Sequence, residues 1–165
     1  MKKLFLGAAA VLALSCSSDD DGGNVSVEGT WKLTKFELTD GIDFDNDGTA
    51  STNLRAETGC FNNSTIVFND NDAVTFNMES IDVEPQEVEG GFDYTVTCEA
   101  AEANSGTYTV SNNVVTINTG GDPVAFTRNG NKLTFAIPES ITVPIEQDGE
   151  IVETEIGAYI EFTKQ

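Results

Sequence analysis

The chain predicts an all-β domain, a single up-and-down antiparallel β-barrel of about eight strands over residues 29–165, with a β-sandwich as the alternative. Three observations predict it. Short stretches alternate apolar and polar residues with a period of two, the mark of half-buried strands. Polar turn residues separate these stretches at short intervals, which favours consecutive hairpins over the longer crossings of a sandwich. No segment sustains a 3.6-residue apolar period with caps, so little helix is expected.

The first strand starts at Gly29. Trp31 and Leu33 alternate in one phase, Phe36 and Leu38 in the other. A phase slip in mid-strand is what a β-bulge produces: one extra residue, a bend and a stronger twist. Ile66 and Phe68 mark the next strand, the turn Asp70-Asn71-Asp72 follows, and Val74, Phe76 and Met78 mark the return. Phe92, Tyr94, Val96 and Cys98 alternate on another strand. Tyr108 and Val110 lead to the turn Asn112-Asn113, after which Val115 and Ile117 run to Gly120-Gly121. Val124 and Phe126 lead to Asn129-Gly130, a hairpin signal because both residues tolerate positive φ. Leu133, Phe135 and Ile137 return, and Ile160 and Phe162 lie on the last strand. Residues 138–157 depart from this meander, with Asp148-Gly149 as the turn of an extra hairpin.

Gly29-Thr30-Trp31, at the head of the first strand of an all-β chain, resembles the Gly-x-Trp signature of lipocalins. The wider resemblance is to the lipocalin-like lipoproteins of Bacteroidota, and it covers most of the chain. It implies a tryptophan packed across the closed end of a barrel with a basic residue from a late strand against it. Arg128 and Lys164 are the candidates. The alternative is a plain core tryptophan.

Asp43-Phe44-Asp45-Asn46-Asp47-Gly48 is the most specific polar feature. Three carboxylates at alternate positions repel one another unless a cation sits between them. Calcium, which takes six to eight oxygens, suits such a loop, and glycine at the sixth position allows the sharp turn. Thr49 would offer its carbonyl. Leu54 stands where a bidentate glutamate usually closes the shell, so Asn53 or Glu57 must close it instead. The flanks are strand and loop, which excludes a helix–loop–helix EF-hand. The alternative is a solvated acidic loop.

Lys2 and Lys3 precede an apolar run from Leu4 to Leu14. That run is too short for a membrane-spanning helix, which needs about 20 residues, and has the length of a signal-peptide core. Ala13-Leu14-Ser15-Cys16 resembles a lipobox, with Ala13 where leucine is usual. The expected organisation is a signal peptide over residues 1–15, a lipidated Cys16 with a flexible tether to residue 28, and the barrel beyond. Ser17-Ser18-Asp19-Asp20-Asp21 resembles the acidic export tag that sends Bacteroidota lipoproteins to the outer face of the outer membrane. The tether is rich in Ser, Asp and Gly, too polar to pack, and reaches about 40 Å at most if fully extended.

Removing residues 1–15 takes the net charge from −20 to −22. That balance argues against nucleic acid and against lying on an anionic membrane, both of which need a basic face. Once Cys16 carries lipid, Cys60 and Cys98 remain, and an oxidising envelope should join them. No histidine exists for a Ser-His or Cys-His pair and no phosphate loop is visible, so no enzyme is expected. The expected partners are the membrane, through the lipid anchor, and a small apolar ligand in a calyx lined by residues such as Phe68, Phe76, Tyr94, Tyr108 and Phe126. The alternative is a structural or adhesive, calcium-stabilised surface protein whose barrel interior is filled.

Overall fold

The computed structural model describes residues 26–165. The elements are β1 (Gly29–Ile42), β2 (Ser51–Asn53), α1 (Leu54–Thr58), β3 (Thr65–Phe68), β4 (Ala73–Val88), β5 (Gly91–Ser111), β6 (Val114–Asn118), β7 (Val124–Asn129), β8 (Lys132–Gln147) and β9 (Glu150–Lys164). From β3 onward each strand pairs antiparallel with the next, β3 pairs with β1, and β9 returns to β1. This last ladder runs from Trp31 opposite Lys164 to Leu38 opposite Ala158 and closes an eight-stranded barrel. A sandwich would leave that edge open. The short β2 sits beside the far half of β1, from Glu37 to Ile42. Residues 1–25, which include Cys16 and the acidic tag, lie outside the described residues.

The phase slip in β1 is a bulge. Leu33 pairs with Phe162 and Lys35 with Glu161, so Thr34 is the extra residue. Trp31 and Leu33 before the bulge, and Phe36 and Leu38 after it, are therefore all buried. The Thr34 hydroxyl meets Thr163 Oγ1 at 2.9 Å and lies within reach of the Glu161 carboxylate. Glu161 is itself buried and ion-paired to Lys132 at 3.0 Å.

Strand lengths separate the two ends of the barrel. At the closed end every hairpin is tight. Asn129 stays in the ladder opposite Lys132, so the turn there is Gly130-Asn131, one residue later than Asn129-Gly130. Gly130 has φ 58°, and with glycine first a two-residue turn needs positive φ only there. Where β6 ends toward the mouth, Gly106 on β5 lies so close to it that a Cβ would stand 2.0 Å from the Asn118 carbonyl oxygen, which only glycine avoids. At the other end β6 and β7 stop early, while β4–β5 and β8–β9 run on as two-stranded hairpins.

The stretches around Tyr94 and Tyr108 join into one strand, β5. It is bulged where Ala100 and Ala101 face Glu79 of β4. Residues 138–157 are the outer part of the β8–β9 hairpin, with Asp148-Gly149 at its tip, both at positive φ.

The interior at the closed end is filled by rings. Trp31 meets Phe68 edge to face at 6.3 Å, and Phe68 meets Tyr108 the same way at 4.8 Å. Phe162 packs against both Phe76 and Phe126. Edge-to-face geometry suits the aromatic quadrupole and adds about 0.5–1.5 kcal/mol per pair beyond burial.

Candidate functional site

Residues 43–63 cross the mouth of the barrel as a lid, and local chemistry explains their path. Asn53 caps α1 by accepting from Ala56 N, and Gly59 ends it with φ 68°, returning its N–H to Arg55 O. This single turn buries Leu54 and Glu57. Three ties hold the lid to β5. The Asn46 side chain donates to Tyr94 O at 2.9 Å and accepts from Tyr94 N at 2.7 Å, acting as a one-residue strand. Phe44 meets the Tyr94 ring edge to face at 5.5 Å. Cys60 is disulfide-bonded to Cys98. Because Tyr94 turns both backbone groups toward Asn46, its neighbour Pro85 on β4 forfeits no ladder bond by lacking an N–H. On the other side Arg55 donates to the Thr34 carbonyl at 2.8 Å, and Phe61 packs on Phe36.

The acidic loop lies within this lid. Asp43, Asp45 and Glu57 each place a carboxylate oxygen within 4.8 Å of the others. Asp43 accepts from Asp47 N and Gly48 N, and Glu57 accepts from Phe44 N at 3.1 Å. Asp47 lies outside this carboxylate group and accepts from Thr49 N. Of the two residues expected to close a shell, Glu57 joins the group, while the Asn53 oxygen is engaged in the helix cap. A three-carboxylate set with spare lone pairs is hard, oxygen-only chemistry and fits calcium better than zinc.

Beneath the lid lies a cavity of about 590 Å³. Phe36, Leu38, Phe44, Leu54 and Phe61 wall one side of it. Met78 to Val83 and Pro85 of β4, with Ile141 to Pro144 of β8 and Glu153 of β9, form the rest. None of the five aromatic residues singled out from the sequence lines it. Phe68, Tyr108 and Phe126 are buried, and Phe76 and Phe126 border a separate recess of about 80 Å³. Tyr94 lies above, against Phe44, where its hydroxyl accepts from Glu146 N at 3.1 Å. The reason is strand length: short β6 and β7 draw the closed end tight around its rings, and space opens only where the longer hairpins diverge. The alternation Ile81, Val83, Pro85 and the extra hairpin expected over residues 138–157 were the available signals for this cavity.

At the closed end Trp31 is fully buried, and its indole N–H donates to Val27 O at 2.7 Å. The Lys164 ammonium stands 5.9 Å from the Trp31 ring centroid and donates to Ser26 O. A buried tryptophan of the first strand under a cation of the last is the arrangement that the Gly-x-Trp resemblance implied. A family model described as a lipocalin-like domain matches residues 27–135. The chain belongs to this lipocalin-like family. No curated protein and no solved structure matches it. The family match ends inside β8, so the part of this lipocalin-like barrel that supplies Ile141 to Pro144 and Glu153 to the cavity lies beyond it.

Proposed function

We propose that this chain is a lipoprotein anchored through Cys16, displayed on the outer face of an outer membrane, whose lipocalin-like barrel binds a small apolar ligand at its mouth. The observation that carries the binding reading is the 590 Å³ cavity, within the 300–1,000 Å³ range typical of small-molecule sites and walled mainly by aliphatic and aromatic side chains. The anchor reading rests on the sequence from Lys2 to Asp21. Cys16→Ala should move the protein from the membrane pellet to the soluble fraction and abolish its acylation. A variant that stays acylated and pelleted would remove the anchor.

Ligand binding is tested by mass spectrometry of small molecules co-purifying with the mature protein, and by uptake of a neutral apolar fluorophore. Saturable uptake at one site, competed by apolar compounds, is the expected result. No uptake and no co-purifying compound would leave the second reading, a structural or adhesive surface protein. The convergence of Asp43, Asp45 and Glu57 favours a calcium ion in either case. These residues would hold it in the lid, and it would neutralise charges that otherwise repel. Because Phe44 and Leu54 of the same lid wall the cavity, such an ion would also fix the ligand site.

A further inference from the structure

The cavity carries charge of one sign. Among the described residues Glu79, Asp82 and Glu153 line it, and no lysine or arginine does. In so acidic a chain the exposed pair, Asp82 and Glu153, decides little. Glu79 decides more, because only 9% of it is exposed. It sits on β4 opposite the bulge of β5, and its backbone N–H donates to the buried Ser64 hydroxyl at 3.1 Å. Asn63 serves its two oxygens, the side-chain amide at 2.7 Å and the backbone N–H at 3.2 Å. Among the described residues no lysine or arginine pairs with it. A buried carboxylate is expensive unless hydrogen-bonded, and these bonds meet part of its need. Each carboxylate oxygen has two lone pairs, so the two bonds leave acceptor capacity.

We infer that the cavity selects amphiphiles whose apolar body ends in a protonated amine, and discriminates against those ending in a carboxylate. This rests on the cavity being the ligand site. An ammonium group brings three donors and a positive charge. Its bonds to a carboxylate are roughly twice as strong as those between neutral partners, and low local dielectric strengthens them further. A fatty acid anion of equal length meets the same sign of charge at Asp82, Glu153 and Glu79.

The test uses the full chain carrying Cys16→Ala, so that no detergent competes for the cavity. N-phenyl-1-naphthylamine, neutral at pH 7, is bound and then displaced by decylamine, decanol or decanoate below their micellar concentrations. Decylamine should displace it at a concentration about tenfold lower than decanoate, a difference of about 1.4 kcal/mol, with decanol between. Glu79→Gln should bring the two ends of that series together. Glu153→Gln, at an exposed position, should narrow it in part and keeps the test open if Glu79→Gln fails to fold. Asp70→Asn, in a turn at the closed end, should leave the ratio unchanged. Equal displacement by amine and carboxylate, with the probe bound, would overturn the charge selection and leave the apolar site standing. So would an Asp70→Asn effect as large as that of Glu79→Gln. Failure of the probe to bind would remove both readings.

Discussion

At the closed end, Trp31, Phe68 and Tyr108 stack edge to face beneath short hairpins paired on both sides. At the mouth, β4–β5 and β8–β9 run on without the short strands between them, and the lid is tied by a disulfide, a side-chain amide and one helical turn. The first region is continuous core, where each ring touches other rings. The second is a set of discrete fasteners around a space. Stability and cavity are thus separated along the barrel axis: the end that is filled holds the end that is hollow. The lid buries Phe44, Leu54, Cys60 and Phe61, but long loop stretches between its fasteners lie outside the sheet ladder, and such segments open locally at less than the global free energy.

The largest expected effect comes from the filled end. Trp31→Ala should cost about 3–5 kcal/mol, read as a lower urea midpoint at unchanged m-value. Phe44→Ala deletes an equally buried ring from the lid, but part of its cost should be absorbed by local opening. Its signature is faster amide exchange over residues 43–63 with a smaller loss of global stability. Equal losses for both variants would mean that the two ends unfold as one unit, and the comparison would fail. Breaking the Cys60–Cys98 bond comes next. It closes a loop with a sequence separation of 38, for which chain entropy gives an upper figure of about 4 kcal/mol. A non-reducing peptide map should show the pair linked, and Cys98→Ser should raise exchange in the lid while leaving residues 65–76 protected.

The same division governs what the sequence disclosed. The closed end was legible because its rules are local: period-two alternation, short turns and a phase slip between Leu33 and Phe36 all act within a few residues. Cys60 and Cys98 were legible by elimination. The cavity was not. Inward alternation identifies which side chains face the interior, but Phe68 and Ile81 look alike in that pattern. Whether an inward residue meets another ring or empty space depends on the lengths of β6 and β7, two strands away. The acidic loop was legible as a run, yet alternation suggested Asp47 as a partner of Asp43 and Asp45. The single turn α1 instead folds Glu57 back into that group.

Calcium should sharpen the contrast by acting on the lid alone. Binding only to the folded form adds RT ln(1 + [L]/Kd), about 2.7 kcal/mol at a hundredfold excess over Kd. The melting temperature should rise with calcium and fall with chelator, and protease cleavage within residues 43–63 should slow. Asp45→Ala and Glu57→Gln should weaken the response, while Asp20→Ala, outside the described residues, should leave it intact. Magnesium should substitute poorly because it demands a tighter octahedral shell. If millimolar calcium shifts neither melting nor proteolysis, the three carboxylates hold no ion.

The smallest effect belongs to the closed end and appears only in alkali. Burial raises the Tyr108 phenol above its ordinary value, and the nearby charges of Glu28, Asp72 and Asp70 push it the same way. The folded state therefore keeps this proton to higher pH than the unfolded chain does. Below about pH 10, the unfolded value, the phenol is protonated in both states and its contribution is constant. Above it the unfolded chain sheds the proton first, so stability falls as pH rises toward the folded value. Tyr108→Phe removes this titration together with the hydrogen bond to Asn69 O at 3.3 Å. The variant should lose about 1 kcal/mol at neutral pH and fall less steeply than the parent above pH 10. Parallel alkaline limbs for the two proteins would show that water reaches the phenol, and that the closed end is less filled than its ring contacts imply.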